Sequence, residues 1–519
     1  MTTELPVPPP VPASTATDPA PLRIDREEHR LHPWSWLFVT LQHLKQFIVP
    51  LLVLLFAGRG DRNELWPLIG VGVLAVMSVW QYFTYRYRLL DDRIEIRSGL
   101  LERKLRQIAY ARIHNVALHQ TLLHRVFGVA EVRLESAGGQ KPEAEMRVLR
   151  FDKAIALERL VREHGGDVAT EAGGAAVPEA ASHTLLQMPT MEVIRHGLVS
   201  NRGLVLVAGG FAALSQGSPR FFANFSERWL KAGTGYAESH HFGWTDYALG
   251  VISLLAMFVI VLRLLSVAMS LLQYHGFTLS EAGRRLTVVR GLLTRLRTSV
   301  PKRRIQAWTL RESVLHRLLK RRALSIDTAS GQASGKEQQR GLRELAPIAT
   351  PAQCEALIHH LLPGVQWPPS GWQPLHRLAW LRIWLGDVLW VLWVLRVTAG
   401  LFWRFGAWGA MLLLWLPWSA FLAWKSAQCA GWSLDGALVA VRRGWWSRKW
   451  RFAEVDKLQA LQLSRSPLDR LFGMRSLLLD TAGANAMSPS LHIAYLTPAA
   501  AESLQQVLSR RLAKSALRW

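Results

Sequence analysis

The chain has 519 residues, half of them hydrophobic, with a formal net charge of +24 and a pI near 10.9. Length suggests about three domains at ~150 residues each. Charge alone would suggest nucleic acid, but the positive mean hydropathy fits a membrane protein whose Lys and Arg gather on the cytoplasmic side. Only Cys354 and Cys429 are present, which excludes a disulfide framework and a zinc site built on four thiolates.

The Pro-rich start, MTTELPVPPPVPASTATDPA, has no basic stretch followed by an apolar one, so no cleavable signal peptide is expected and 1–30 reads as a disordered tail. Crossing a hydrocarbon core of ~30 Å takes about 20 mostly apolar helical residues. Segments 37–57, 65–84, 247–272, 383–403 and 407–425 meet that requirement. A sixth, 197–217, is weaker because Asn201 and Arg202 lie inside it. The expectation is six transmembrane helices in three hairpins, at 31–84, 185–272 and 363–425. Between and after them lie basic segments with net charges of +5 (85–161), +11 (274–345) and +7 (430–519), which the positive-inside rule places in the cytoplasm with both termini. Domains are therefore expected at 85–165, 273–362 and 426–519, with a linker at 166–184. Trp34, Trp36, Trp66, Trp80 and Trp244 fall near span ends, at headgroup level, and nine tryptophans crowd the third hairpin between Trp380 and Trp424.

The basic segments are copies of one unit. SGLLERKLRQIAYARIHNVALHQTLLHRVFG (98–128) recurs as RGLLTRLRTSVPKRRIQAWTLRESVLHRLLK from Arg290 and RGWWSRKWRFAEVDKLQALQLSRSPLDRLFG from Arg443. Counting from Gly99, Gly291 and Gly444, a basic residue follows at 13 positions (Arg112, Arg304, Lys457) and an arginine at 26 (Arg125, Arg317, Arg470). ESAG, DTAS and DTAG begin ten positions later, at Glu135, Asp327 and Asp480. Within a copy, RIEIRSG, KLRQIAYARI and EVRLESAG alternate between DD, SG and AGG turn signals and read as short antiparallel strands. TLLHRVFG has helical spacing. A closing helix is announced by Asp152, Thr350-Pro351 and Thr497-Pro498, cap residues with Pro at the first helical position in the last two. Each copy is thus expected to be a small β-barrel or sandwich with a C-terminal helix.

YRLLDDRIEIRSGLLERK and RIHNVALHQTLLHRVFGVAEVRLESAGG, with their counterparts, resemble the bacterial pleckstrin-homology-like domains of the second type found in YdbS/YdbT-like membrane proteins. The resemblance covers nearly the whole chain beyond its Pro-rich start. It implies three such domains joined to transmembrane hairpins. The second copy departs from the pattern: LLKRRAL replaces RVFGVAEV and loses the glycine after the helical turn.

No catalytic constellation is found. GQASGKE (331–337) has three residues between its glycines and Glu337 where a phosphate loop needs Ser or Thr. HExxH and GxSxG are absent, and His240-His241 reads as a solvated pair. No enzyme, cofactor or metal site is expected. Arg112, Arg304 and Lys457, with Lys302, Arg303 and Arg311, are candidates for contact with anionic headgroups or a partner, against the alternative of solvated strand faces that enforce topology. Arg125, Arg317 and Arg470, like the three glycines, read as structural, through a bond to a carbonyl or to the Glu135, Asp327 or Asp480 strand. Within the apolar segments, Arg263, Asp387 and Arg396 are candidates for intramembrane pairing, while Arg382 snorkels from a span end.

The sequence thus describes an integral protein of the bacterial cytoplasmic membrane that binds or scaffolds at the inner leaflet. Anionic phospholipid and another membrane protein are the expected partners, and nucleic acid is not one. The alternative is a transport or export component using Asp387, Arg263 and Arg396.

Overall fold

A computed structural model describes residues 28–38, 83–99, 103–136, 144–164, 183–217, 243–328, 344–386, 388–406, 415–481 and 490–514, with isolated positions between them. Copy one contains β1 (His29–Arg30), β2 (Arg86–Leu89), β3 (Arg93–Ser98), β4 (Lys104–Ala109), β5 (Ile113–Gln120), α1 (Leu122–Val126), β6 (Val129–Ser136), β7 (Ala144–Arg150) and α2 (Phe151–His164). Copy two opens with β8 (His183–Gln187), α3 (Thr190–Val199), α4 (Arg202–Gly217) and α5 (Trp244–Tyr274). Its domain follows as β9 (Thr278–Ala282), β10 (Arg285–Arg290), β11 (Arg295–Pro301), β12 (Ile305–Glu312), α6 (Val314–Leu318), β13 (Arg322–Thr328), β14 (Glu344–Ala349) and α7 (Pro351–Leu361). Copy three has α8 (Ala379–Trp384), α9 (Val388–Phe405) and α10 (Trp415–Cys429). After them come β15 (Gly431–Asp435), β16 (Leu438–Arg443), β17 (Arg448–Glu454), β18 (Leu458–Ser464), α11 (Pro467–Leu471), β19 (Arg475–Thr481), β20 (Leu491–Leu496) and α12 (Pro498–Lys514).

The period-two pattern gives the strands their two faces. In β3, RIEIRS, Ile94 and Ile96 are buried while Arg93 and Glu95 lie half-exposed between them. The closing helices start as their residues dictate. Thr350 Oγ1 accepts from Gln353 N at 3.2 Å while Gln353 Oε1 accepts from Thr350 N, with Pro351 in the first turn. Asp152, by contrast, sits inside the first turn of α2 and not before it. The end of the presumed tail is ordered: His29 and Arg30 pair with β2, and Glu28 accepts from Arg86 and Arg97 at 2.9 Å each.

Gly99, Gly291 and Gly444 all have positive φ, at 124°, 107° and 85°. Each ends the strand before the tight hairpin turn, and a Cβ on Gly291 would stand 2.0 Å from Thr294 O. Gly291→Ala therefore combines backbone strain with a clash against backbone. It is expected to destabilise the second domain by about 1–3 kcal/mol, measurable as a lower denaturation midpoint at unchanged slope.

The fold class differs from the sequence expectation in its membrane part, while the β domains with their closing helices fit it. Six spans in three hairpins are not observed among the described residues. Among the described residues one helix, Thr245–Tyr274, is long and apolar enough to cross a membrane; its 30 residues extend about 45 Å at 1.5 Å each. Segment 197–217 is broken at Ser200 and Asn201. The part before the break, α3, belongs to the packed domain, with Val193 and Gly197 buried. Segment 383–403 is interrupted too: α8 ends at Trp384 and α9 starts at Val388. Segments 37–57 and 65–84, and the start of 407–425, lie mostly outside the described residues. In segment 197–217 the hydrophobic run conceals a backbone break whose polar groups are satisfied by Arg263 and Ser266.

The β domains are joined through their sheets. Their strands form sheets of four (β1-β2-β3-β4), seven (β7-β6-β5-β11-β10-β9-β8), six (β14-β13-β12-β17-β16-β15) and three (β18-β19-β20) strands. The second sheet of one copy continues into the first sheet of the next, through β5–β11 and β12–β17. Cores are shared accordingly. Leu438, Ala440 and Phe452 of copy three pack into the core of copy two, where Trp308 stacks on Phe452 at 6.2 Å.

His119, on β5 at the first junction, stands opposite Leu296 of β11 and Glu131 of β6. Burial, with Arg133 and His124 nearby, lowers its pKa to about 3. The folded chain thus keeps His119 neutral where an unfolded chain would protonate it. Stability is full above about pH 6.5 and falls as the pH drops toward 3, by about 2 kcal/mol at pH 5. Thermal unfolding of His119→Gln should lose that part of the acid sensitivity.

Candidate membrane-facing rim

The repeated TLLHRV, SVLHRL and SPLDRL segments are the short helices α1, α6 and α11, and one hydroxyl starts each. Thr121, Ser313 and Ser466 side chains accept from the backbone of His124, His316 and Asp469. So short a helix leaves its last apolar residue outside the core. Val126, Leu318 and Leu471, at one repeat position, are 80%, 77% and 75% exposed. Beside them lie the hairpin tips that follow the glycines, where Leu292, Leu293 and Trp446 are exposed as well. Three exposures at one position are not scatter.

The tips and short helices of successive copies are joined. Arg125 Nη1 donates to Leu292 O at 2.8 Å, and Arg317 Nη2 donates to Trp445 O and Trp446 O at 3.3 and 3.0 Å. The first two arginines of the repeat signature therefore each hold the hairpin of the following copy. Arg470, in the last copy, has no side-chain partner among the described residues.

This rim adjoins the apolar helices. Leu292 N donates to Leu272 O at 2.9 Å and Gly291 N to His275 O at 2.9 Å, so the second tip sits on the C-terminal end of α5. Trp445 meets Phe421 of α10 edge-on at 6.1 Å, and Phe38 lies 4.1 Å from His124. The incoming helix reaches the short helix by a different contact in each copy. In copy two Glu192 of α3 takes Arg321 in two bonds, at 2.8 and 2.9 Å, and Arg195 at 2.5 Å; led by the bond from Arg321, these hold its carboxyl below the ordinary range. In copy three Arg382 donates to Asp469 at 2.8 Å and to Ser466 at 3.2 Å. Arg382 is thus an anchor to the domain and does not snorkel.

Most of the candidate headgroup-binding residues lie elsewhere. Arg112, Lys302, Arg303, Arg304 and Lys457 occupy the 3-10 corners between β4 and β5, β11 and β12, and β17 and β18. The seven residues of β11 separate such a corner from its tip by roughly 20 Å at ~3.3 Å each. Arg112 is exposed. Lys302 is ion-paired to Glu281, which also binds His360 at 2.6 Å; burial pushes that carboxyl up, but Lys302 and His360 hold it below its usual range. Burial draws Arg304 down to about 10. Lys457 donates to Arg303 O at 2.8 Å, tying two copies. Arg311 alone of the set lies toward the rim, exposed opposite Lys449.

Among the intramembrane candidates, Arg263 pairs with no carboxylate among the described residues. Its Nη1 lies 3.0 Å from Leu198 O and 3.3 Å from Ser200 O and Asn201 Oδ1, capping the break between α3 and α4. Ser266 Oγ helps by donating to Ser200 O at 2.7 Å and accepting from Gly203 N. Such a break at membrane depth stands only where its backbone groups find partners. Arg396 is exposed on α9. Asp387 lies outside the described residues, as do His240, His241 and the GQASGKE segment. Sequence reasoning missed the Arg202, Tyr274, Glu344 and Arg290 cluster at the end of α5, where both guanidinium groups lie over the Tyr274 ring, at 4.7 and 5.0 Å. Arg202 had registered only as a flaw in a span. It missed the rim too, although an apolar residue after each HR or DR pair was its signal.

A triplicated two-sheet unit with a closing helix is the architecture of a pleckstrin-homology-like domain array. The chain belongs to the Bacterial PH domain family, which matches it three times, over residues 38–164, 237–362 and 381–512. It is similar to the UPF0699 transmembrane protein YdbT of Bacillus subtilis (strain 168), with 23% identity over 459 residues, covering 85% of this chain and 90% of that protein. No solved structure matches.

Proposed function

We propose that this is a non-enzymatic protein of the bacterial cytoplasmic membrane whose three PH-like domains form one platform at the inner leaflet. The rim rests in the headgroup layer, and the basic corners face away from it toward an acidic protein partner. The observation that carries this reading is the apolar residue exposed at the same repeat position in all three copies, on the edge that adjoins the end of α5. The basic domains and the relative named a transmembrane protein support the location. Anionic headgroups are within reach of the rim basics, including Arg311, where each is worth roughly 1 kcal/mol. The corner basics, roughly 20 Å from the tips, fit a protein partner better than lipid. Arg263 serves a helix break, so the transport alternative gains no support from it.

The test uses the full chain in nanodiscs, with Cys429→Ser and a polarity-sensitive fluorophore on Leu318→Cys. Emission should shift to the blue, more strongly with anionic lipid. Emission matching a water-exposed label would sink the rim assignment. Reversing Lys302 and Arg303 to Glu should leave that signal intact while lowering crosslinking to a partner in native membranes.

A further inference from the structure

The second junction carries a row of like charges. Arg311 of β12 stands opposite Lys449 of β17, and Lys449 opposite Arg443 of β16. Ala307, Ala453, Val439 and Val441, two or four positions along the same strands, belong to the third core, so the three cations share its face. Cβ atoms at opposed positions are roughly 5 Å apart, where like charges are destabilising. The other face of the sheet follows the ordinary pattern, with Glu312 opposite Arg448 and 3.8 Å between their charged atoms. Asp327 lies on the side of the cations but bonds Arg451 at 2.8 Å. Burial, then Arg311 and Arg451, outweigh Asp327 and draw the Lys449 pKa down. The first junction has no such row. Counted from the glycines, Lys449 and Arg311 correspond to Leu296 and His119, and Arg443 to Arg290, which meets Glu344 at 3.8 Å and the Tyr274 ring. The fold therefore has a neutral solution at these positions, and a local rule broken where one exists marks function.

We propose that the row of Arg311, Lys449 and Arg443 binds a phospholipid headgroup with two phosphate groups, one in each gap between neighbouring cations. A single phosphate bridges two cations about 5 Å apart; three in a row span about 10 Å and leave place for a second. Arg311 and Arg443 are exposed and Lys449 is half-exposed, so the row is open to a ligand. It also lies where a headgroup is. Arg443 directly precedes Gly444, Arg311 comes two residues before the Ser313 that caps α6, and Lys449 comes three after Trp446. Three residues are roughly 10 Å at ~3.3 Å each. The headgroup layer is about 5–8 Å deep, and long basic side chains reach the remainder. The assignment rests on the rim lying in that layer, where tethering presents lipid phosphate at high effective concentration and so favours it over a free diphosphate.

The experiment offers the detergent-purified full chain cardiolipin, with two phosphates on one glycerol, against phosphatidylglycerol at matched charge, and reads retained lipid by native mass spectrometry. Cardiolipin is expected to be retained in preference. Arg311→Gln and Lys449→Gln should each weaken that retention roughly fivefold, and Lys153→Gln, an exposed cation on α2, should not. Without lipid, the first two variants should unfold at or above the wild-type temperature, because they relieve repulsion; retention that falls only together with the unfolding temperature overturns the proposal. Equal retention of the two lipids overturns it as well. Inorganic pyrophosphate is the second arm, and displacement of cardiolipin at micromolar concentration would make the ligand a soluble diphosphate and overturn the headgroup source. The label on Leu318→Cys separates the two readings. No preference for cardiolipin while that label stays shifted to the blue overturns this site alone, whereas a water-exposed label overturns the rim and the headgroup source with it.

Discussion

Arg382→Met is expected to destabilise the third domain by about 3–5 kcal/mol, the range for removing one partner of a buried ion pair. The side chains of Arg382 and Asp469 are 13% and 7% exposed, and Asp469 also closes a capping box with Ser466. Methionine keeps the apolar stem but leaves a buried carboxylate without its cation. Burial raises the Asp469 pKa, yet hydrogen bonds from Ser466 and Arg382, with the Arg382 charge, leave it below the usual range. The sign follows from that direction. A depressed carboxyl contributes stability above its unfolded pKa and loses it as the pH falls through the folded one. The difference between wild type and Arg382→Met should therefore be largest near neutrality and shrink on acidification. Denaturant unfolding read by hydrogen exchange over 458–512 measures it. Asp469→Asn should cost less, since it removes the charge and retains an oxygen acceptor. Equal losses at pH 7 and pH 3 would show that Arg382 acts through packing alone.

The same joint shows why part of the molecule was legible in the sequence and part was not. The spacing from each glycine to a basic residue and then to an arginine is local, so three copies and their strands could be read directly. Which edge each strand pairs with is not local. Alternation tells which face of β11 is buried, but β5 and β10 claim its two edges by geometry that periodicity does not encode. Hydropathy misjudges segment 197–217 for a related reason: Asn201 and Arg202 read as residues in lipid, whereas the break they mark is held by Arg263 and Ser266 from α5. At the joint itself, His124 and Asp469 share a repeat position but meet an aromatic ring and a guanidinium. A repeat preserves the backbone's solution and not the side chain's partner. The basic residues 13 positions after each glycine were visible for that reason, while their distance from the rim was not.

Val126→Glu, Leu318→Glu and Leu471→Glu combined are expected to lift the platform out of the headgroup layer without releasing the chain from the membrane. Fully burying a Val or Leu side chain is worth about 1.5–3 kcal/mol, and 1.4 kcal/mol is a factor of ten. Even half of that at each position makes rim engagement at least tenfold weaker, before counting the repulsion of three carboxylates by anionic lipid. All three side chains are at least 75% exposed, so folding should be unaffected. Anchoring by α5 should persist, because rim contact acts at the high effective concentration that tethering supplies and is not what holds the protein there. A fluorophore on Leu293→Cys, on the second hairpin tip, should accordingly be quenched by nitroxide lipids in wild type and lose most of that quenching in the triple variant. Single substitutions should lose less than a proportionate share, since Arg125 and Arg317 couple each short helix to the next hairpin and the remaining contacts hold the array down. Undiminished quenching in the triple variant would mean that the rim faces another protein surface and not lipid.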